Sequence, residues 1–100
     1  MKKIEAIIRK EKYEEVIALL EKSGIGGITV TEAVGFGHHR NGLKPKMKID
    51  IYVDEFQVEK TIDLIRRAAK TGTTGDGKIA ILSLENIIKI RTGQEGASAI

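Results

Sequence analysis

Between Thr71 and Lys78 the chain reads Thr-Gly-Thr-Thr-Gly-Asp-Gly-Lys. Glycines at this density let backbone N–H groups converge on an anion, and Lys78 adds a point charge beside them. Gly72 to Lys78 satisfies the G-x-x-x-x-G-K half of a phosphate-binding loop, but Ile79 follows where Mg²⁺ coordination needs a hydroxyl. The segment also runs from a helical pattern into a strand pattern, the reverse of the order that aims a helix dipole at phosphate. A looser anion cradle survives that test, and so does an ordinary glycine-rich turn that ends a helix. Farther along, Lys89-Ile90-Arg91 places two cations on one side of an extended segment with no acid between them. Such a pair suits a polyphosphate, or guards a sheet edge.

Catalytic constellations are missing. Without cysteine there is no thiol nucleophile, thiolate metal site or disulfide, and a reducing interior such as the cytoplasm fits best. No Gly-x-Ser-x-Gly context exists for a serine nucleophile. His38 and His39 are adjacent, so they do not share a face, and no carboxylate sits at a spacing that completes a metal triad. An enzyme using Lys78 or Asp76 as acid or base lacks a paired carboxylate or a nucleophile–base pair. The expectation is therefore a binding protein with no catalytic residues and no metal site.

Composition narrows the class further. One hundred residues make a single domain, 1–100, with a small core, for which an oligomer is a natural completion. Seventeen Lys and Arg against fourteen Asp and Glu give +3. Arg40, Lys44, Lys46 and Lys48 lie together with no acid among them, which leaves thirteen against fourteen elsewhere. That local excess suits a small anion better than a nucleic acid. No apolar run is long enough to insert in a membrane.

The elements that must position these residues follow from hydrophobic period. Lys3 to Ile8 alternates as a strand, and Tyr13, Val16, Ile17 and Leu20 form a helical stripe that stops at Gly24. Ile28 to Val34 is β-branched and bounded by glycines. Met47, Ile49, Ile51 and Val53 alternate as the clearest strand. Asp54 and Gln57 have capping-box spacing before a helix over Val58, Ile62, Ile65 and Ala69. Lys78 to Leu84 predicts a fourth strand and Ile87 to Arg91 a short fifth, within a tail of residues 87–100.

A shift of 45 residues aligns Lys3-Ile4-Glu5 with Lys48-Ile49-Asp50, Ile17 with Ile62, Leu20 with Ile65 and Gly27 with Gly72. Strand, helix and stop thus occur twice, which predicts an α+β, ferredoxin-like βαββαβ sandwich with both helices on one face. Ile7, Tyr52, Thr29, Thr31 and Ala33 then face away from the helices. That face is apolar enough in places to predict a closed cyclic oligomer that covers it.

Several segments together resemble the PII nitrogen-regulatory signalling proteins. They are Met1 to Arg9, Gly27 to Glu32, Gly35-Phe36-Gly37, Pro45 to Ile49, Thr71-Gly72, Gly75 to Ile79 and Ile90 to Gly93. The resemblance implies a homotrimer that binds ATP or ADP, with Mg²⁺ accompanying ATP, in clefts between subunits. It implies 2-oxoglutarate as a second effector, and a T-loop that docks on an ammonium transporter or a nitrogen-metabolism enzyme. Ile7, Thr29, Gly35, Phe36, Gly37, Asp50 and Tyr52 would line the nucleoside side, with His38 beside them. Gly75, Asp76, Gly77 and Lys78 would cradle phosphate, with Lys89 and Arg91 reaching in from the tail. Lys89 stands where the family has Arg, keeping the charge and losing the planar fork.

The departure lies at the T-loop. Only residues 38–44 separate Gly37 from Pro45, about a dozen fewer than the family carries, and no modification site carries over. His39 replaces the Gln that ligates Mg²⁺ in the 2-oxoglutarate complex, and imidazole suits Mg²⁺ poorly. Lys46 matches the Lys that pairs with the 2-oxoglutarate carboxylate. The expectation is retained nucleotide binding, with partner docking and the 2-oxoglutarate response impaired. The alternative is a PII-like trimer that binds a metal or a small anion.

Overall fold

A computed structural model describes residues 1–38 and 42–100. The elements are β1 (Lys2–Arg9), α1 (Tyr13–Lys22), β2 (Ile28–Gly35), β3 (Lys44–Val53), α2 (Val58–Ala69) and β4 (Gly77–Ser83). The strands form one antiparallel sheet ordered β2-β3-β1-β4, with β1 and β3 at its centre. This is the ferredoxin-like α+β sandwich that the repeat predicts. The repeat even extends to the helix entries, because 3₁₀ turns at Lys10–Lys12 and Glu55–Gln57 lead into α1 and α2 at the same 45-residue offset.

Alternation in the two central strands decides the layers. Ile4, Ala6 and Ile8 of β1 and Met47, Ile49, Ile51 and Val53 of β3 are buried against Val16 and Leu20 of α1 and Leu64, Ile65 and Ala69 of α2. Each fully buried aliphatic side chain contributes about 1.5–3 kcal/mol by leaving water. Among the described residues Thr61 is the one buried polar residue, and its hydroxyl donates to the Gln57 carbonyl at 2.8 Å. α1 ends as predicted: Gly24 turns at φ +79°, and the Ile25 N–H donates to the Leu20 carbonyl at 3.0 Å.

Two expectations are corrected. Asp54 and Gln57 form no capping box. The Gln57 N–H donates to the Asp54 carbonyl instead, closing the 3₁₀ turn, and no side chain caps the helix. The fifth strand, Ile87 to Arg91, does not join the sheet. Thr92 and Gly93, the latter at φ +72°, fold the tail back on itself, so Ile88 bridges Glu95 and the Lys89 N–H donates to the Gln94 carbonyl at 2.8 Å. The reversing turn wins over strand alternation because it satisfies the backbone locally. Lys89 therefore opens a turn and Arg91 lies within it, rather than on a ladder.

Gly77 opens β4 at φ +107°, and a Cβ there would overlap the Ile7 carbonyl oxygen. Gly72, at φ +88°, has open space instead. Gly77→Ala is expected to destabilise the fold by about 2–5 kcal/mol, from backbone strain plus steric displacement. Gly72→Ala is expected to cost about 1–2 kcal/mol, from strain alone. Urea unfolding at one protein concentration checks the order; equal losses would mean that β4 can slide off β1 at little cost.

Candidate functional site

On the face turned away from the helices, strand register fixes the neighbours. Ile7 lies between Lys48 and Lys78, Glu5 between Asp50 and Ala80, and Lys3 between Tyr52 and Leu82. Thr31 adjoins Lys48, Thr29 adjoins Asp50, and Ala33 adjoins Lys46. The expected outward residues thus do share this face, where Ile7 is 39% and Tyr52 45% exposed.

Four charges occupy its middle. Lys48 lies 3.1 Å from Glu5 and 3.9 Å from Asp50, and Lys3 lies 3.3 Å from Asp50 and 3.4 Å from Glu5. Without the lysines, Glu5 and Asp50 would face each other as like charges directly across the strands. Asp50 holds the Lys3 ammonium above its ordinary range, with Glu5 a lesser cause, and Lys48 holds the Glu5 carboxyl below its own. The buried Asp50 Oδ1 has no hydrogen-bond partner, so its contact with Lys3 is an ion pair off the hydrogen-bonding directions. Asp50 is therefore committed to this network.

The glycine loop is built around Asp76. One carboxylate oxygen accepts the Thr71 and Gly72 N–H groups, both at 2.9 Å. The other accepts the Thr71 hydroxyl and the Arg9 Nε, the latter at 3.0 Å. Arg9 reaches over from the end of β1 and also donates through Nη2 to the Thr73 hydroxyl at 2.9 Å and the Thr74 carbonyl at 2.6 Å. Lys46 donates to the Gly75 carbonyl at 2.8 Å. The Thr71 hydroxyl, then its N–H with that of Gly72, then Arg9 hold the Asp76 carboxyl far below the ordinary carboxylate range.

Sequence reasoning places Asp76 among the phosphate-cradling groups, whereas its carboxylate is occupied in shaping the loop. It includes Thr71 and Thr73 only as members of the 71–78 loop, and it misses Arg9 as part of the site. The Asp inside Thr-Thr-Gly-Asp-Gly is the available signal, because Asp is the residue that bonds its own backbone in turns. Nothing local in the sequence announces Arg9, whose partners lie more than sixty positions away.

Several of the expected site residues fall into separate hollows of the chain. Gly35, Phe36, Gly37, Gly75 and Lys46 line a cavity of about 330 Å³ with Arg9 and Lys44. Ile7, Asp76, Gly77 and Lys78 line another of about 460 Å³, between β4 and α2. Tyr52 lines a third of about 380 Å³, beside Gly27 and Phe56. Thr29 stands on β2 and Lys78 on β4, at opposite edges of the sheet. Lys89 and Arg91 lie on the tail turn and line none of these three hollows. His38 is exposed in a turn, and His39 lies outside the described residues. Among the described residues, no three His, Asp or Glu come together as a metal site.

The sequence profile described as nitrogen regulatory protein P-II matches residues 1–94. The chain belongs to that family. It is 47% identical to the nitrogen regulatory protein P-II of Bradyrhizobium diazoefficiens and 44% identical to that of Azospirillum brasilense, with both chains fully covered in each comparison. A crystal structure of Arabidopsis thaliana PII bound to citrate superposes with a TM-score of 0.89 at 40% identity, covering 99% of this chain and 91% of that one. The family consists of signalling regulators rather than enzymes. The bacterial alignments span 112 positions, twelve more than this chain has residues. Among the described residues no helix is long and apolar enough to cross a membrane.

A carboxylate held down in this way contributes stability above its ordinary value, and that contribution disappears only as pH falls through the lowered one. The loop around Asp76 should therefore stay closed well below the ordinary carboxylate value of 3.8. Titration of the Asp76 side-chain carbon by NMR is expected to give a midpoint well below 3.8. A midpoint near 3.8 would mean that the Thr71 and Gly72 bonds do not persist in solution.

Proposed function

We propose that the chain is a nucleotide-responsive PII regulator. ATP or ADP binds with its phosphates over the 75–78 loop, and Mg²⁺ accompanies ATP. The observation that carries this reading is the loop itself. The Asp76 carboxylate is paired with Arg9 and turned into the loop, leaving glycine backbone and the exposed Lys78 at its rim. A loop so arranged offers an anion positive potential without an opposing carboxylate.

The separation of the site residues supports a homotrimer. Thr29 and Tyr52 lie toward one part of the sheet and Gly77 and Lys78 toward another, so a complete site needs two copies. Lys89 and Arg91 are then supplied by a neighbouring tail, where the fully exposed Ile90 also calls for a partner surface. The output is control of a partner protein such as an ammonium transporter or a nitrogen-metabolism enzyme. Residues 38–44 replace the long docking arm of the family, so this output is weakened or redirected.

The cavity beside Arg9, Lys44 and Lys46 suits a small carboxylate anion. The citrate bound to Arabidopsis PII agrees with that chemistry. In this chain Lys46 is engaged with Gly75, and His39 is a poor Mg²⁺ ligand, so 2-oxoglutarate is expected to add little to ATP binding.

Calorimetric titration with ATP, ADP and AMP, with and without Mg²⁺ and 2-oxoglutarate, tests the reading. ATP and ADP are expected to bind, 2-oxoglutarate to shift ATP affinity only slightly, and Arg91→Ala to weaken ATP by about 1–3 kcal/mol. No ATP binding at millimolar concentration would end the nucleotide reading. Sedimentation equilibrium is expected to show a trimer; a monomer would leave no intersubunit cleft.

A further inference from the structure

We infer that Arg9 is the positioning residue of the anion loop: by clamping the Asp76 carboxylate, the Thr73 hydroxyl and the Thr74 carbonyl, it makes an acid-containing loop receptive to polyphosphate. The inference rests on the nucleotide reading above and names the residue on which that site's competence depends.

Three observations converge. The Arg9 guanidinium makes three contacts on one loop, at 3.0, 2.9 and 2.6 Å, and each goes to a different residue. Its partners include both kinds of group that would otherwise spoil an anion site: a carboxylate, and a carbonyl oxygen with its negative end turned outward. The fit is also steric. Gly75 turns at φ +101°, and a Cβ built there would stand 3.2 Å from Arg9 Nη2, so the guanidinium packs on the bare face of that glycine.

Arg9 is well placed to be rigid. It ends β1, opposite Lys46 of β3, and β1 is central in the sheet. The clamp therefore transmits the position of the core sheet to the loop. Its planar fork matters, because Nε reaches the carboxylate while Nη2 reaches the hydroxyl and the carbonyl, a fixed spacing that a single ammonium nitrogen does not span. Glu11, 3.7 Å from Nη1, is exposed, so it competes weakly with Asp76.

The alternative role for Arg9 is direct ligation of phosphate, with Asp76 as a bystander whose charge hinders binding. The two roles predict opposite signs for Asp76→Asn. If Arg9 positions the loop, removing the Asp76 charge opens the loop and weakens ATP. If Asp76 only repels, removing it tightens ATP.

The test combines calorimetry with ATP and AMP and amide hydrogen exchange of the unliganded protein. The variants are Arg9→Gln, Arg9→Lys, Asp76→Asn and the Arg9→Gln/Asp76→Asn pair. Arg9→Gln and Asp76→Asn are each expected to weaken ATP about tenfold, the pair no more than the worse single change, and AMP less than ATP. Arg9→Lys should recover only part of the loss. In Arg9→Gln the Thr71 and Gly72 amides should exchange faster while those of Ile4 and Ile49 stay protected. Tighter or unchanged ATP binding by Asp76→Asn, additive losses in the pair, or unaltered exchange at Thr71 and Gly72 would overturn the inference. If the unmodified protein binds no ATP, the nucleotide reading fails, and the exchange rates alone then decide the clamp.

Discussion

β4 can start where it does because residue 77 has no Cβ. At that point its backbone passes so close to the Ile7 carbonyl that any side-chain atom would overlap it. Much else hangs on this contact. It joins β4 to β1 in the register that sets Lys78 beside Ile7, and it fixes one end of the loop whose other end leaves α2 at Ala69. Between these anchors the seven residues 70–76 have little freedom, and Asp76 takes up what remains by accepting the N–H groups of Thr71 and Gly72. A positive-φ glycine and a carboxylate turned inward thus convert a helix-to-strand connection into a shaped concavity.

Charge organises the rest of the open face. Lys3, Glu5, Lys48 and Asp50 form a balanced square at the centre, while Arg9, Lys46 and Lys78 lie toward the loop end. A balanced centre can be covered by another copy without burying net charge. An unbalanced end attracts anions. One sheet face can therefore serve assembly at its middle and ligand capture at its edge, which is economical for a chain of this length. The bacterial alignments span twelve more positions than this chain has residues.

The sandwich was legible because its cues are repetitive. Ile4-Ala6-Ile8 and Met47-Ile49-Ile51-Val53 alternate cleanly, and the 45-residue offset reports two copies of one unit. Local turn chemistry was harder. Asp54-x-x-Gln57 looks like a capping box, yet a 3₁₀ turn satisfies the same N–H first. Ile87 to Arg91 alternates like a strand, yet Thr92-Gly93 reverses the chain before a ladder can form. In the site, the glycines, Asp76 and Lys78 are visible as types, but the inward bonds of Asp76 to Thr71, Gly72 and Arg9 are not. Arg9 was invisible, because a side-chain contact across more than sixty residues leaves no periodic trace.

On the proposed function, the loop shaped by Gly77 and Asp76 receives the phosphates of a nucleotide. Backbone ¹H–¹⁵N correlation spectra recorded during an ATP titration test it residue by residue. The predicted result is saturable shifts at Gly75, Gly77 and Lys78, accompanied by Arg91 on the tail, with Ile4 and Ile49 in the core unmoved. Shifts confined to other surfaces, or none at the loop up to millimolar ATP, would contradict it.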